Sequence, residues 1–144
     1  MSALSNFLEN KLVDQIFRAQ AAPTTSTLYV GLFTAAPSDA GGGTEVSGNS
    51  YARATVTSSL ANWAGTQSAG STTASSGTGG VTSNNGAITF ATPSGTWGTV
   101  THFAIFDAVS AGNLLFHGQL TISKTINSGD TVSFPAGTLT VTFD

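Results

Sequence analysis

The sequence predicts a mainly β protein: an antiparallel, jelly-roll-like β-sandwich preceded by one amphipathic helix. Apolar residues recur every four positions only near the N-terminus, which is typical of a helix. From about residue 27 onward, short runs of β-branched and aromatic residues alternate with glycine-, serine- and asparagine-rich turns, a pattern typical of a sandwich. The 144 residues fit one domain with a substantial core.

The predicted helix covers residues 3–19, with its apolar stripe built on Leu4, Leu8, Leu12 and Ile16. Asp14 and Arg18 are correctly spaced for an ion pair on it. Two interpretations stay open: the stripe packs on the sheet of its own chain, or it packs against neighbouring subunits. In the second interpretation Leu8, Leu12 and Ile16 are interface residues. We accordingly divide the chain into an N-terminal helix or arm, residues 1–22, and a sandwich domain, residues 23–144.

Strands are predicted at residues 27–34, 51–57, 86–91, 99–107, 114–122, 130–137 and 138–144. The run at 99–107 carries apolar residues on both faces, which indicates a central strand. In the last run Leu139, Val141 and Phe143 alternate with threonines, as expected for a strand with one buried face.

Residues 64–85 consist almost entirely of Gly, Ser, Thr, Ala and Asn. Such a segment cannot bury enough apolar surface to offset its own ordering entropy. It is therefore either a mobile surface loop or an arm that is ordered against a neighbour.

Charged residues make up only 8% of the chain, against about 25% in an ordinary globular protein. This favours a subunit whose surface is largely covered in an assembly. The net charge is −3 and the four basic residues are scattered, so we expect no nucleic-acid partner. The sequence contains no apolar run long enough for a membrane span and no signal-peptide pattern, which predicts no membrane partner and synthesis without Sec export.

No catalytic signature is present, and we expect neither an enzyme nor a cofactor. His102 and His117 lie in adjacent predicted strands, but with no third ligand in the pattern they favour a structural role over a metal site. Trp63 and Trp97 are candidate glycan contacts because aromatic rings stack on sugar faces, although such residues are equally common in cores.

Residues 36–53, APSDAGGGTEVSGNSYAR, form a glycine-rich excursion between two predicted strands. The excursion carries Asp39, Glu45 and Arg53, and we expect it to lie at a subunit boundary. In a chain with so few charges Arg53 is expected to be paired, with Glu45 as a candidate partner. Deleting the excursion is predicted to leave the fold intact and to weaken assembly.

Several blocks resemble a family of small phage virion proteins commonly described as tail-fibre-like or structural. They are the N-terminal helix, YVGLFTAAP, GGGTEVSGNSYAR, WGTVTHFAIFD, GNLLF and SGDTVSFPAG. The resemblance covers almost the whole chain, apart from a longer segment at 64–85. It implies a β-sandwich subunit of a phage particle, made in the host cytoplasm.

Two positions in the particle are open. A compact, charge-poor sandwich with an apolar helix favours a capsid cement or decoration protein that bridges major capsid subunits, with a homotrimer as the expected form. The alternative is a tail or tail-fibre component that attaches to host-surface glycans.

Overall fold

The structure, a computed structural model, describes residues 2–22 and 24–143. One α-helix, α1, spans Asn6–Arg18. The strands are β1 Ser2–Leu4, β2 Thr27–Ala35, β3 Thr44–Glu45, β4 Ala54–Thr57, β5 Val81–Ser83, β6 Ile88–Thr89, β7 Gly98–Phe106, β8 Leu114–Ile126, β9 Ser133–Phe134 and β10 Thr140–Thr142.

Six strands form the main sheet, in the order β1-β8-β7-β2-β3, with β4 beside β3 on the outer edge of β2. Every pairing is antiparallel. The long strands β2, β7 and β8 lie at the centre, as the apolar faces of residues 99–107 predicted. The two edges of this sheet differ: β2 is covered by β3 and β4, whereas β8 is paired along Phe116–Gly118 by β1 and at Leu115 by Ser5, and the described residues leave the rest of its outer edge unpaired.

The second layer of the sandwich consists of two short ribbons, β5 with β10 and β6 with β9. The main core lies between this layer and the main sheet, as expected for apolar faces that must be covered. It includes Val30, Leu32, Ile88, Phe90, Trp97, Val100, Phe103, Ile105, Leu139 and Val141. The mainly β, antiparallel, sandwich-like fold with one N-terminal helix is confirmed.

The helix is shorter than predicted, because Ala3 and Leu4 belong to β1 rather than to α1. Ser5 separates the two elements: its backbone N–H donates to the carbonyl of Leu115, which continues the strand pairing. Its side chain accepts the N–H of Leu8 and so caps the helix. Ala3 and Leu4, which the apolar repeat assigned to the helix, instead pair with His117 and Phe116 of β8 and therefore form a strand.

The other differences concern strand length. The runs predicted at 51–57, 86–91, 130–137 and 138–144 pair over only two to four residues, whereas β8 continues to Ile126. The second layer is built from short ribbons, and backbone groups beside them bond to turns and side chains: the N–H of Phe90 donates to the carbonyl of Val132, and the N–H of Leu139 donates to Asn84 Oδ1.

The segment at 64–85 contains a strand that its composition did not predict, β5, and much of the rest is held by its own side chains. The N–H of Gly65 donates to Ser71 Oγ at 2.9 Å, and the N–H of Gly77 donates to Thr66 Oγ1 at 2.9 Å. Gln67 Nε2 donates to Thr73 Oγ1 at 2.8 Å. Hydroxyl and amide groups therefore supply the order that the lack of apolar residues seemed to exclude; contact with a neighbour stays a prediction.

Candidate functional site

At the β2 edge of the main sheet, Glu45, Tyr51 and Arg53 form a hydrogen-bonded cluster. Arg53 Nε and Nη2 donate to the two carboxylate oxygens of Glu45, each at 2.8 Å. The Tyr51 hydroxyl donates to Glu45 Oε1 at 3.0 Å and accepts the N–H of Leu32 at 2.8 Å. The pairing of Glu45 with Arg53 is confirmed, and it forms within one chain.

The cluster fills a gap in the sheet edge. On the outer edge of β2, pairing with β4 ends at Val30 and pairing with β3 starts at Phe33. Between them the N–H of Leu32 has no strand partner on that side, and it donates to the Tyr51 hydroxyl instead. Beside it, a Cβ on Gly31 would lie 2.9 Å from Glu45 Oε1, so only glycine leaves room for the carboxylate. Burial raises the pKa of the Tyr51 phenol, and the Glu45 carboxylate raises it further.

Arg53 also connects this edge to the turn between β7 and β8. Its Nη1 donates to the carbonyls of Ala108 and Ala111, both at 2.9 Å. Its guanidinium carbon lies 3.4 Å from the centroid of the Phe106 ring. Because only 7% of the side chain is exposed, these contacts assign Arg53 an internal structural role, whatever part the surrounding surface plays in assembly.

The excursion is anchored at a second point. His117 Nε2 on β8 lies 2.9 Å from Asp39 Oδ1, and the N–H of Asn6 donates to the carbonyl of Asp39 at 3.0 Å. His102 Nδ1 lies 2.8 Å from the hydroxyl of its neighbour Thr101. The two histidines therefore have separate partners. Residues 36–53 are bonded to β8, α1 and the β7–β8 turn, which opposes the prediction that their deletion leaves the fold intact.

The two tryptophans do not form a surface shelf. Trp97 is 5% exposed, its ring packs edge-on to Tyr51, and its Nε1 donates to the carbonyl of Asn49 at 3.0 Å. Trp63 is half-buried against the same core, with its Nε1 fully enclosed. Core packing thus leaves Trp97 no face for a sugar and Trp63 little of one.

At the opposite edge of the main sheet lies a groove of about 740 Å³, between the end of β8 and the segment that carries β9 and β10. We call it the β8 groove. Its apolar lining includes Val100, Phe103, Leu120, Phe134 and Leu139, and its polar lining includes Gln119, Thr121, Lys124, Asp130, Thr131, Ser133, Thr138 and Thr140.

The polar groups of the β8 groove are largely without protein partners. Among the described residues, the hydroxyls of Thr121, Thr131, Ser133 and Thr140 make no protein hydrogen bond, nor does the ammonium of Lys124. Polar groups that a fold leaves unused in a concavity are available to a ligand.

Asn84 holds the wall of the β8 groove in place. This residue is 1% exposed, and its Nδ2 donates to the carbonyls of Gly86, Phe134 and Pro135 at 2.8, 3.3 and 2.9 Å. Its Oδ1 accepts the N–H of Leu139 at 2.9 Å. The sequence predicts Asn84 to be part of the low-complexity segment 64–85, since nothing local distinguishes it from its neighbours.

Helix α1 is the third exposed feature. None of its residues is buried, and it contacts the rest of the chain chiefly at β8. Leu8 and Leu12 are half-buried, whereas Ile16 is 68% exposed and lies beside Val13 and Phe17, which are 50% and 79% exposed. We call Val13, Ile16 and Phe17 the α1 patch. The chain's own sheet covers only part of the predicted stripe.

Within residues 2–22 and 24–143, no three histidine or acidic side chains come together as a metal site. Over the same residues no helix has the length and apolar character needed to cross a membrane.

A family model described as "Podophage GP4 fiber I protein gp80" matches residues 3–142, which is nearly the whole chain. No curated protein matches the sequence.

Proposed function

The chain belongs to this family of phage fibre proteins and is a virion structural protein, and we propose that it is a tail-fibre component. The observation that carries the proposal is the match to a fibre protein over residues 3–142. It favours the tail alternative over the capsid cement role that low charge and compactness suggested, because those two properties suit any densely assembled subunit.

We further propose that copies of the chain assemble through the α1 patch. Monomeric proteins rarely leave clustered large apolar side chains this exposed unless they contact a partner. The chain's own sheet leaves these side chains uncovered, and a fibre subunit meets other subunits. Ile16 is then an interface residue as predicted, while Leu8 and Leu12 contribute less because they are already half-buried.

Copy number and position in the virion test the tail assignment. Quantitative mass spectrometry of purified particles, calibrated on the major capsid protein, is expected to give few copies per particle. Immunogold labelling is expected at the tail. A ratio near one copy per capsid subunit, with label over the shell, would return the cement role to first place.

Light scattering after size exclusion tests the α1 patch. The wild-type chain is expected to form an oligomer, with the trimer predicted from its class, and Ile16→Glu with Phe17→Glu is expected to shift it to monomer. The charge-matched control is Gln15→Glu with Gln20→Glu, two exposed positions outside the patch. Equal oligomers in both double variants would show that the contact lies elsewhere.

A further inference from the structure

From the chemistry of the β8 groove we infer that it is a saccharide-binding site, most suited to an uncharged oligosaccharide. This inference rests on the proposed function, since a fibre on a phage tail meets the host surface. It differs from the sequence-based expectation by placing the site at the β8 edge and not at Trp63 and Trp97.

The size and the floor of the groove suit a sugar chain. Small-ligand sites usually have volumes of about 300–1,000 Å³, and the β8 groove has about 740 Å³. The half-buried Phe134 and Leu120 and the exposed Ile122 supply apolar surface in the groove, whereas Val100, Phe103 and Leu139 belong to the buried core. The C–H faces of pyranose rings pack on surfaces of this kind.

The rim supplies what sugar hydroxyls require. Each of the hydroxyls of Thr121, Thr131, Ser133 and Thr140 can both donate and accept a hydrogen bond, as can each hydroxyl of a sugar. None of the four is used by the protein within the described residues. A ligand rich in hydroxyls can therefore bond to these side chains, because each hydroxyl can serve as donor or as acceptor.

The charges of the groove argue against other small ligands. One cation, Lys124, and one anion, Asp130, lie in its lining. A phosphorylated or polyanionic ligand needs several basic groups, and the whole chain has only four, of which Arg53 is enclosed in an internal ion pair. An acyl chain, by contrast, would leave the polar rim without partners.

The free edge of β8 makes an extended peptide the main competitor, because unpaired strand edges accept added strands. The ladder between β7 and β8 is, however, interrupted: His102 pairs with Gln119 and Val100 pairs with Lys124, so four β8 residues oppose Thr101 alone. Bulges of this kind twist an edge away from strand addition. The interruption lies at the groove, which favours the saccharide.

The test is a binding assay with the purified full chain on an array of bacterial surface oligosaccharides, followed by calorimetry with the best binder. Thr131→Ala, Ser133→Ala and Thr140→Ala are combined to remove groove hydroxyls. The matched control combines Thr55→Ala, Thr57→Ala and Ser110→Ala, which are exposed hydroxyl residues outside the groove. We expect the groove variant to lose about tenfold or more in affinity, and the control to bind as the wild type does.

Each other outcome overturns the inference. No saccharide binding, or equal binding by both triple variants, removes the site. Binding of an extended peptide probe that is lost only in the groove variant reassigns it to a protein partner. None of these results changes the copy number or the immunogold position, so the tail-fibre proposal stands or fails separately.

Discussion

The two edges of the main sheet use the chain's few polar groups in opposite ways. At the β2 edge, Glu45, Tyr51 and Arg53 bond to one another and to the backbone, and Gly31 leaves the space they need. At the β8 edge, the hydroxyls of several threonines and serines and one ammonium group line a groove, and they have no protein partner among the described residues. The first edge stabilises the fold, and the second is available for contact.

The difference follows from desolvation. A buried charge is costly unless every donor has a partner, so a buried arginine occurs where a carboxylate and carbonyls are arranged around it. Neutral hydroxyls cost far less to leave in water. A chain with few charges can therefore keep an arginine inside and still present a polar, uncharged surface to a ligand.

Among the substitutions considered, Arg53→Met is expected to have the largest effect on stability. It leaves the Glu45 carboxylate, which is 26% exposed, without its bidentate partner, and it frees the β7–β8 turn. We expect a loss of about 3 kcal/mol in the free energy of unfolding, measured by urea denaturation. Arg18→Met is the control: it breaks the exposed pair with Asp14 and should cost under about 0.5 kcal/mol. Similar losses in both would contradict the internal role.

A smaller effect is expected from Gly31→Ala. The new Cβ would meet the Glu45 carboxylate while Arg53 holds that carboxylate in place, so we expect a loss of about 1–3 kcal/mol by urea denaturation. Gly79→Ala is the matched control, because nothing lies within 4 Å of its Cβ position. The cost of Gly31→Ala should shrink when it is combined with Arg53→Met; an unchanged cost would mean that the carboxylate is not the obstacle.

Tyr51→Phe tests the contribution of the buried Tyr51 hydroxyl to stability, which is expected to depend on pH. Removal of the hydroxyl leaves the N–H of Leu32 without its acceptor, and we expect it to lower the free energy of unfolding by about 1–2 kcal/mol at pH 7. Burial raises the pKa of Tyr51 in the folded state, so its contribution is fully present below the ordinary tyrosine pKa of about 10 and declines as the pH rises above it. The stability difference between the wild type and Tyr51→Phe should therefore narrow above pH 10. A difference that is constant from pH 7 to 11 would speak against a buried phenol.

The smallest effect belongs to the β8 groove. The triple variant Thr131→Ala, Ser133→Ala and Thr140→Ala removes exposed hydroxyls without protein partners, so its free energy of unfolding should match the wild type within about 0.5 kcal/mol. Thermal and urea unfolding measure this directly. A large loss would mean that the rim supports the fold, and the contrast between the two edges would disappear.

Much of the fold follows from local pattern alone. The four-residue apolar repeat places a helix near the N-terminus, and the alternation in residues 27–34 and 99–107 places the central strands, because backbone geometry ties side-chain period to secondary structure. The low charge indicated a subunit of an assembly. The resemblance of several sequence blocks to small phage virion proteins implied a phage structural subunit, which the family match confirms. The pairing of Glu45 with Arg53 was also predicted, since a lone arginine in a charge-poor chain needs a partner.

Tertiary structure alone decided the rest, because burial depends on what the fold places opposite each residue. Trp63 and Trp97 are residue types that often bind sugars, but they lie in or against the core. Asn84 lies in a low-complexity segment, yet its side chain bonds to the backbone of Pro135 and Leu139 and so connects the two ribbons. The β8 groove combines residues from β7 to β10, which no local pattern relates. The sequence determined the kinds of element and the class of protein; three-dimensional packing determined which polar groups were used within the fold and which were left for a partner.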